Sequence, residues 1–144
     1  MTGSVDAALS TRWDPVALRA GAGIALMISV PVTLVAAIVD SENTGVNALF
    51  FFGAMLGFVL GSGCAAWIQR AGTPMSHAIV TASATYLAAQ AVFVTIRLAG
   101  GNDINWFRVF FTLMLVVMAG LLGGLLGERL QRRGVVAAVN RDRT

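Results

Sequence analysis

Residues 50–90 read FFFGAMLGFVLGSGCAAWIQRAGTPMSHAIVTASATYLAAQ. Glycine recurs at every fourth position in the first half, at Gly53, Gly57 and Gly61, which puts all three on one face of a helix. Gln69-Arg70-Ala71-Gly72-Thr73-Pro74 then reverses the chain. Gly72 suits a left-handed cap, and Thr73-Pro74 suits a new helix start. The second half opens on the only histidine, His77, and carries Ala, Ser and Thr where a lipid-facing helix would carry Leu. Neither Val46 to Ile68 nor Ala78 to Ile96 contains Asp, Glu, Lys or Arg. Two uncharged apolar runs joined by a short basic turn read as a pair of helices crossing a membrane.

Two further runs, Ala20 to Val39 and Val109 to Gly127, are also without charge. Each of the four approaches the roughly 20 residues needed to cross about 30 Å of hydrocarbon. The composition agrees: 57% of the 144 residues are hydrophobic and 12% charged. So small a soluble domain has too high a surface-to-volume ratio to hide that much apolar surface. The sequence therefore predicts an all-α integral membrane protein with four transmembrane helices in two antiparallel hairpins. The spans are expected at about 16–39, 46–67, 75–98 and 106–126, with a basic cytoplasmic tail over 127–144, all in a single membrane domain, 1–144. The first run is too long for a signal-peptide core, and its polar lead with Asp6 and Asp14 is a poor signal start, so it reads as a retained span. Asp14-Pro15 suits a helix start. Pro31 removes one backbone bond mid-span, with Ser29 or Thr33 available to satisfy the freed carbonyl.

The net charge of +3 comes from ten arginines, there being no lysine. They cluster beside the spans, where topology and anionic headgroups account for them better than nucleic acid does. Arg12, Arg19, Arg70, Arg129, Arg132, Arg133, Arg141 and Arg143 fall on one side; Arg97 and Arg108 fall on the other, with Asp40, Glu42 and Asp103. This bias predicts both termini cytoplasmic. Trp13 and Trp67 then mark the inner boundary and Trp106 the outer one, as an aromatic belt does.

The ladder on the second span has a partner on the fourth, formed by Ala119-Gly120, Gly123-Gly124 and Gly127. Small residues four apart let helix backbones approach, which is how helices associate in an apolar solvent. Gly53, Gly57, Gly61, Ala119, Gly123 and Gly127 are thus the expected packing residues, with Phe51, Met55 and Phe58 forming the bulky side opposite the ladder. The third span has a small-residue stripe of His77, Thr81, Ala84, Ala88, Ala91 and Thr95. It also has a polar series, Ser76, Ser83, Gln90 and Arg97, read either as interhelical contacts or as the wall of a substrate path. Arg97 is placed to pair with Asp40, Glu42 or Asp103. His77 lacks the neighbouring ligands of a metal or haem site, so no metal and no cofactor is expected. Cys64 reads as a packing residue. No nucleophile–base pair, carboxylate pair or intramembrane carboxylate occurs, which speaks against hydrolase, transferase or proton-coupled carrier chemistry.

A shift of 62 residues lays Gln69-Arg70-Ala71-Gly72 on Gln131-Arg132-Arg133-Gly134, and Gly57 and Gly61 on Ala119 and Gly123. Such a match is that of a parallel duplication. In layout the chain resembles small four-span bacterial membrane proteins whose second and fourth helices are glycine-rich. Gly57, Gly61, Gly63, Arg70, Gly72, His77 and Tyr86 carry the resemblance, which covers residues 50–90 and implies a fold without an activity. Size and span count are also similar to the small multidrug resistance transporters. Those hold a glutamate in the first helix that binds proton and cation, and the first span here has none. Two roles of different class stand as expectations. One is a non-enzymatic accessory or scaffold protein of the bacterial cytoplasmic membrane that packs against another membrane protein or a homo-oligomer within the lipid bilayer, without nucleic acid. The other is a small oligomeric transporter or channel with a path lined by Ser83, Thr85, Gln90 and Thr95.

Overall fold

The computed structural model describes residues 12–39 and 42–141. Asp6, Asp40 and Arg143, which entered the signal and charge readings above, lie outside the described residues. Among those described there is no strand. The helices are α1 (Pro15–Val39), α2 (Thr44–Ile68), α3 (Pro74–Ala99), α4 (Trp106–Arg132) and the short α5 (Ala138–Arg141). The first four are each long and apolar enough to cross a membrane, and each contains one of the expected spans. α4 runs on to Arg132, so the stretch expected to be tail from residue 127 begins as helix.

The distribution of side chains by size is the reverse of that in a soluble protein. Ile38, Phe107, Met27 and Met114 are 82, 79, 76 and 70% exposed, whereas the buried positions are mostly Ala, Gly, Ser and Thr. Water would make such an exterior untenable, and hydrocarbon makes it the normal one. The chain is in this sense a multi-pass membrane protein.

Within the bundle α2 touches α1, α3 and α4, and α3 touches α1, α2 and α4. Glycines set these approaches. A Cβ placed on Gly61 would lie 2.5 Å from the carbonyl oxygen of Gly21, and one on Gly21 would lie 2.6 Å from that of Gly61. Gly57 sits against Ala25, Ile28 and Ser29 of α1, and Gly53 meets only the side chain of Val32. The ladder on α2 therefore faces α1 and does not interlock with the small residues of α4. It is Gly63, two residues off the ladder, that lies on Gly123 and Gly127 of α4. Gly120 and Gly124, on a neighbouring face of α4, receive Ala78, Ala82 and Met75 of α3.

Ala25, Phe58, Ala82, Tyr86, Val116 and Ala119 form the larger core cluster, flanked by Met55. Phe58 is thus buried, not part of an outward bulky side, while Phe51 of that set is exposed. Phe58 meets Tyr86 edge-on at 6.3 Å, and the Tyr86 hydroxyl donates to the Val109 carbonyl at 2.9 Å. Burial of a phenol is tolerable only with such a partner. Asn43 caps α2 by accepting from Gly45 and Val46 N–H, and Asn105 caps α4 by accepting from Arg108 N–H. Both caps went unread in the sequence. α1 continues through Pro31. Thr33 Oγ1 donates to the Ser29 carbonyl at 2.8 Å, not to that of Met27, the one the missing Pro31 amide leaves open.

Candidate functional site

Two features stand out from the packing: a polar clamp at the arginine-rich end of the bundle, and an apolar groove between α1 and α3.

The clamp begins with His77, which is fully buried. Its Nε2 accepts the Asp14 N–H at 2.9 Å, and its Nδ1 lies 2.9 Å from the Thr73 carbonyl and 3.2 Å from the Thr73 hydroxyl. An acceptor at Nε2 fixes the hydrogen on Nδ1, so one neutral tautomer satisfies every partner. Trp13 covers the ring at 5.2 Å between centroids, and Arg12 lies over Trp13 at 5.8 Å. Asp14 Oδ1 accepts from Val16 and Ala17 N–H, capping α1. Thr73, expected to cap α3 with its side chain, makes no such bond, because its hydroxyl and carbonyl go to His77. Its own N–H goes to Gln69 Oε1 at 3.3 Å. Gly72 takes a φ of 73°, as its position in the turn required.

The C-terminal carbonyls of α2 have no partner within the helix. Gln131 Nε2 donates to the carbonyls of Trp67 and Gln69 at 3.0 and 2.9 Å, and Gln69 Nε2 donates to Gln131 Oε1 at 3.3 Å. Trp67 Nε1 donates to the Val135 carbonyl at 2.6 Å, and Asn140 Nδ2 to the Ile68 carbonyl at 2.9 Å. Ala137, buried at 3%, packs with Ala17 and Ile68. The segment after α4 is therefore folded across the end of the bundle rather than trailing from it. Gln131 was hidden in sequence inside a charged tail; its one signal was the repeat, which aligns it with Gln69.

The polar series on α3 does not gather. Ser83 and Gln90 are half-buried, and no hydrogen bond joins either side chain to another of the described residues. Thr95 is exposed and its hydroxyl returns to the Ala91 carbonyl at 2.7 Å. Arg97 is exposed and forms no ion pair with Glu42 or Asp103; Asp40 lies outside the described residues. Thr81, at 3% exposure, has a hydroxyl without a partner. Ala84, Ala88, Ala91 and Thr95 are exposed, so the small stripe of α3 meets a neighbour only in its first two turns, at His77 and Thr81.

Past that contact α1 and α3 separate and leave a groove of about 600 Å³. Ala22, Leu26 and Val30 form one wall, and Ala84, Ala88 and Val92 are prominent in the other, where Thr85 is the only polar residue. Nothing in this lining can ionise, and the Thr85 hydroxyl is its only hydrogen-bonding side chain. Among the described residues no three of His, Cys, Asp and Glu come together.

Four membrane-length helices around a glycine-set core define the class. Comparison with known proteins returned no match to a family model, a curated protein or a solved structure.

Proposed function

We propose that this chain is a non-enzymatic accessory or scaffold protein of the bacterial inner membrane that works by contact with a larger membrane complex or with further copies of itself. Its helices form two antiparallel hairpins with both termini cytoplasmic, a reading supported by the arginine bias between the two ends. The observation that carries the function is the filling of the interior. Backbone meets backbone at Gly21/Gly61 and at Gly63/Gly123/Gly127, and the largest fully buried side chains are only His77, Val116 and Ser62. A water or ion path needs a continuous line of polar groups. Of the four residues expected to line one, only Thr85 reaches the α1/α3 groove. What remains for function is the outside, where α4 presents Phe107, Phe111, Met114, Met118 and Leu122 on a single face.

The test is purification of the tagged protein in mild detergent, with a photo-crosslinker at Met114. A partner held at fixed stoichiometry and crosslinked through that position, or a defined homo-oligomer crosslinked to itself, is the expected result. An uncrosslinked monomer whose liposomes show a His77-dependent proton flux under an imposed pH gradient would replace this reading with the transporter.

A further inference from the structure

We propose that the α1/α3 groove is a binding site for one anionic phospholipid of the leaflet at the arginine-rich end, with an acyl chain along the groove and the headgroup phosphate at Arg19. The site is independent of any protein partner.

Three observations converge on this occupant. The first is chemistry: the groove is apolar throughout but for Thr85 and opens sideways from a bundle whose outer surface is made for hydrocarbon. The second is length. Ala22 to Val30 spans about 12 Å of helix and Ala84 to Phe93 about 14 Å, close to the roughly 15 Å of a single leaflet. A partner helix crossing the membrane would need a groove about twice as long. The depth of this one ends toward the arginine-rich end, where Thr81 packs on Gly21 and His77 holds Asp14, and Arg19 lies exposed on the outer side of that contact.

The third is charge. Arg19, Ala22, Leu26 and Val30 follow one another at i, i+3, i+7 and i+11, a single face of α1. Arg19 thus lies on the groove-lining face, about 4.5 Å along the axis beyond the first wall residue. From there the uncharged run to Val39 is about 30 Å long, which puts Arg19 at headgroup level. Arg19 is exposed and forms no ion pair among the described residues. The nearest acid in sequence, Asp14, caps α1 through the amides of Val16 and Ala17. The guanidinium is therefore available as a two-pronged phosphate donor, with a stem able to lie along the apolar wall.

Native mass spectrometry of the full-length protein, given equal phosphatidylglycerol and phosphatidylcholine with identical chains, tests the site. One arginine at the membrane surface is expected to give about a fivefold preference for the anionic lipid. Arg19→Gln should abolish the preference while leaving retention of phosphatidylcholine unchanged. Ala84→Leu with Ala88→Leu should lower retention of both lipids, and Ala22→Leu, which fills the groove from the other wall, should repeat that effect if the first variant folds poorly. A preference that survives Arg19→Gln, or retention that survives both filled grooves, overturns the proposal. So does crosslinking between two copies carrying Ala88→Cys in a Cys64→Ala background, which would put a second helix in the groove.

Discussion

Adding one methyl group at Gly61 isolates the contact on which the bundle depends. Gly61→Ala places a Cβ 2.5 Å from the Gly21 carbonyl oxygen, 2.7 Å from the Ala25 Cβ and 2.8 Å from the Ala25 nitrogen. Two of these three atoms are backbone and cannot rotate away, so α1 and α2 must part by about 1 Å, which forfeits up to half of each dispersion contact along their seam. Overpacking of this kind costs about 1–3 kcal/mol, and the relief of helical glycine returns at most about 1 kcal/mol. The net effect is a loss of up to about 2 kcal/mol, and Gly61→Leu loses more. Gly23→Ala supplies the control, since its Cβ meets nothing within 4 Å and only the propensity gain of about 1 kcal/mol remains. Gly53→Ala, whose Cβ would make an ordinary contact at 3.4 Å with a Val32 methyl, should keep the same propensity gain. Thermal unfolding in mild detergent, followed by tryptophan fluorescence, should rank Gly23→Ala and Gly53→Ala above wild type, with Gly61→Ala lower and Gly61→Leu lowest. Equal midpoints for Gly61→Ala and Gly23→Ala would mean that α1 and α2 do not meet backbone to backbone, and the packing argument would fail.

Three further outcomes follow from the clamp and the charge bias. Gln131→Leu removes donors from the Trp67 and Gln69 carbonyls and strands Gln69 Nε2. A loss of about 1–3 kcal/mol and faster tryptic cutting at Arg132 and Arg133 are expected, and unchanged proteolysis would refute the clamp. His77→Phe keeps a ring beneath Trp13 but orphans the buried Asp14 N–H. It should cost about 1–3 kcal/mol and shift Trp13 emission in a variant lacking the other two tryptophans; a silent substitution would count against the bond. For topology, Asn102→Cys should react with an impermeant reagent on intact cells and Arg133→Cys should not, both in a Cys64→Ala background. The opposite pattern would invert the orientation.

The four spans were legible because uncharged runs of membrane length have no other stable use in so small a chain. The small-residue faces were legible too, since a spacing of four fixes a helix face. Periodicity gives the face of a helix and not the neighbour it turns to, however. Gly57 and Gly61 accordingly face α1, while Gly63, outside the ladder, makes the approach to α4. His77 was conspicuous as the only imidazole, but its acceptor role was invisible, because its partner is the backbone N–H of a residue 63 positions away. Backbone donors leave no mark in a sequence. The groove was hidden for a related reason. Ala84 and Ala88 look like contact residues, and whether a neighbouring helix reaches them depends on where α1 and α3 diverge.

The 62-residue repeat is kept in some contacts of the bundle and lost in others. The 62-residue shift that aligns the two turns also aligns Gln69 with Gln131, and these two side chains are bonded to each other. Gly72 and Gly134, aligned by the same shift, take φ of 73° and 71°. The two aligned turns therefore lie side by side at one end of the bundle. The helix faces do not follow the repeat. Gly61 turns to α1, and the repeat would turn Gly123 to α3, but Gly123 packs on α2 and it is Gly120 and Gly124 that receive α3. The face of α4 that meets α3 is thus not the one aligned with the α2 ladder, and α4 is small on two faces while α2 gives its ladder to α1. The α1/α3 pair has no such glycines beyond Gly23. Once past Gly21 and Thr81, Leu26 and Val30 stand opposite Val92 and Phe93, too bulky for the backbones to close. The groove is thus what remains when α2 and α4 close on glycine and α1 and α3 cannot.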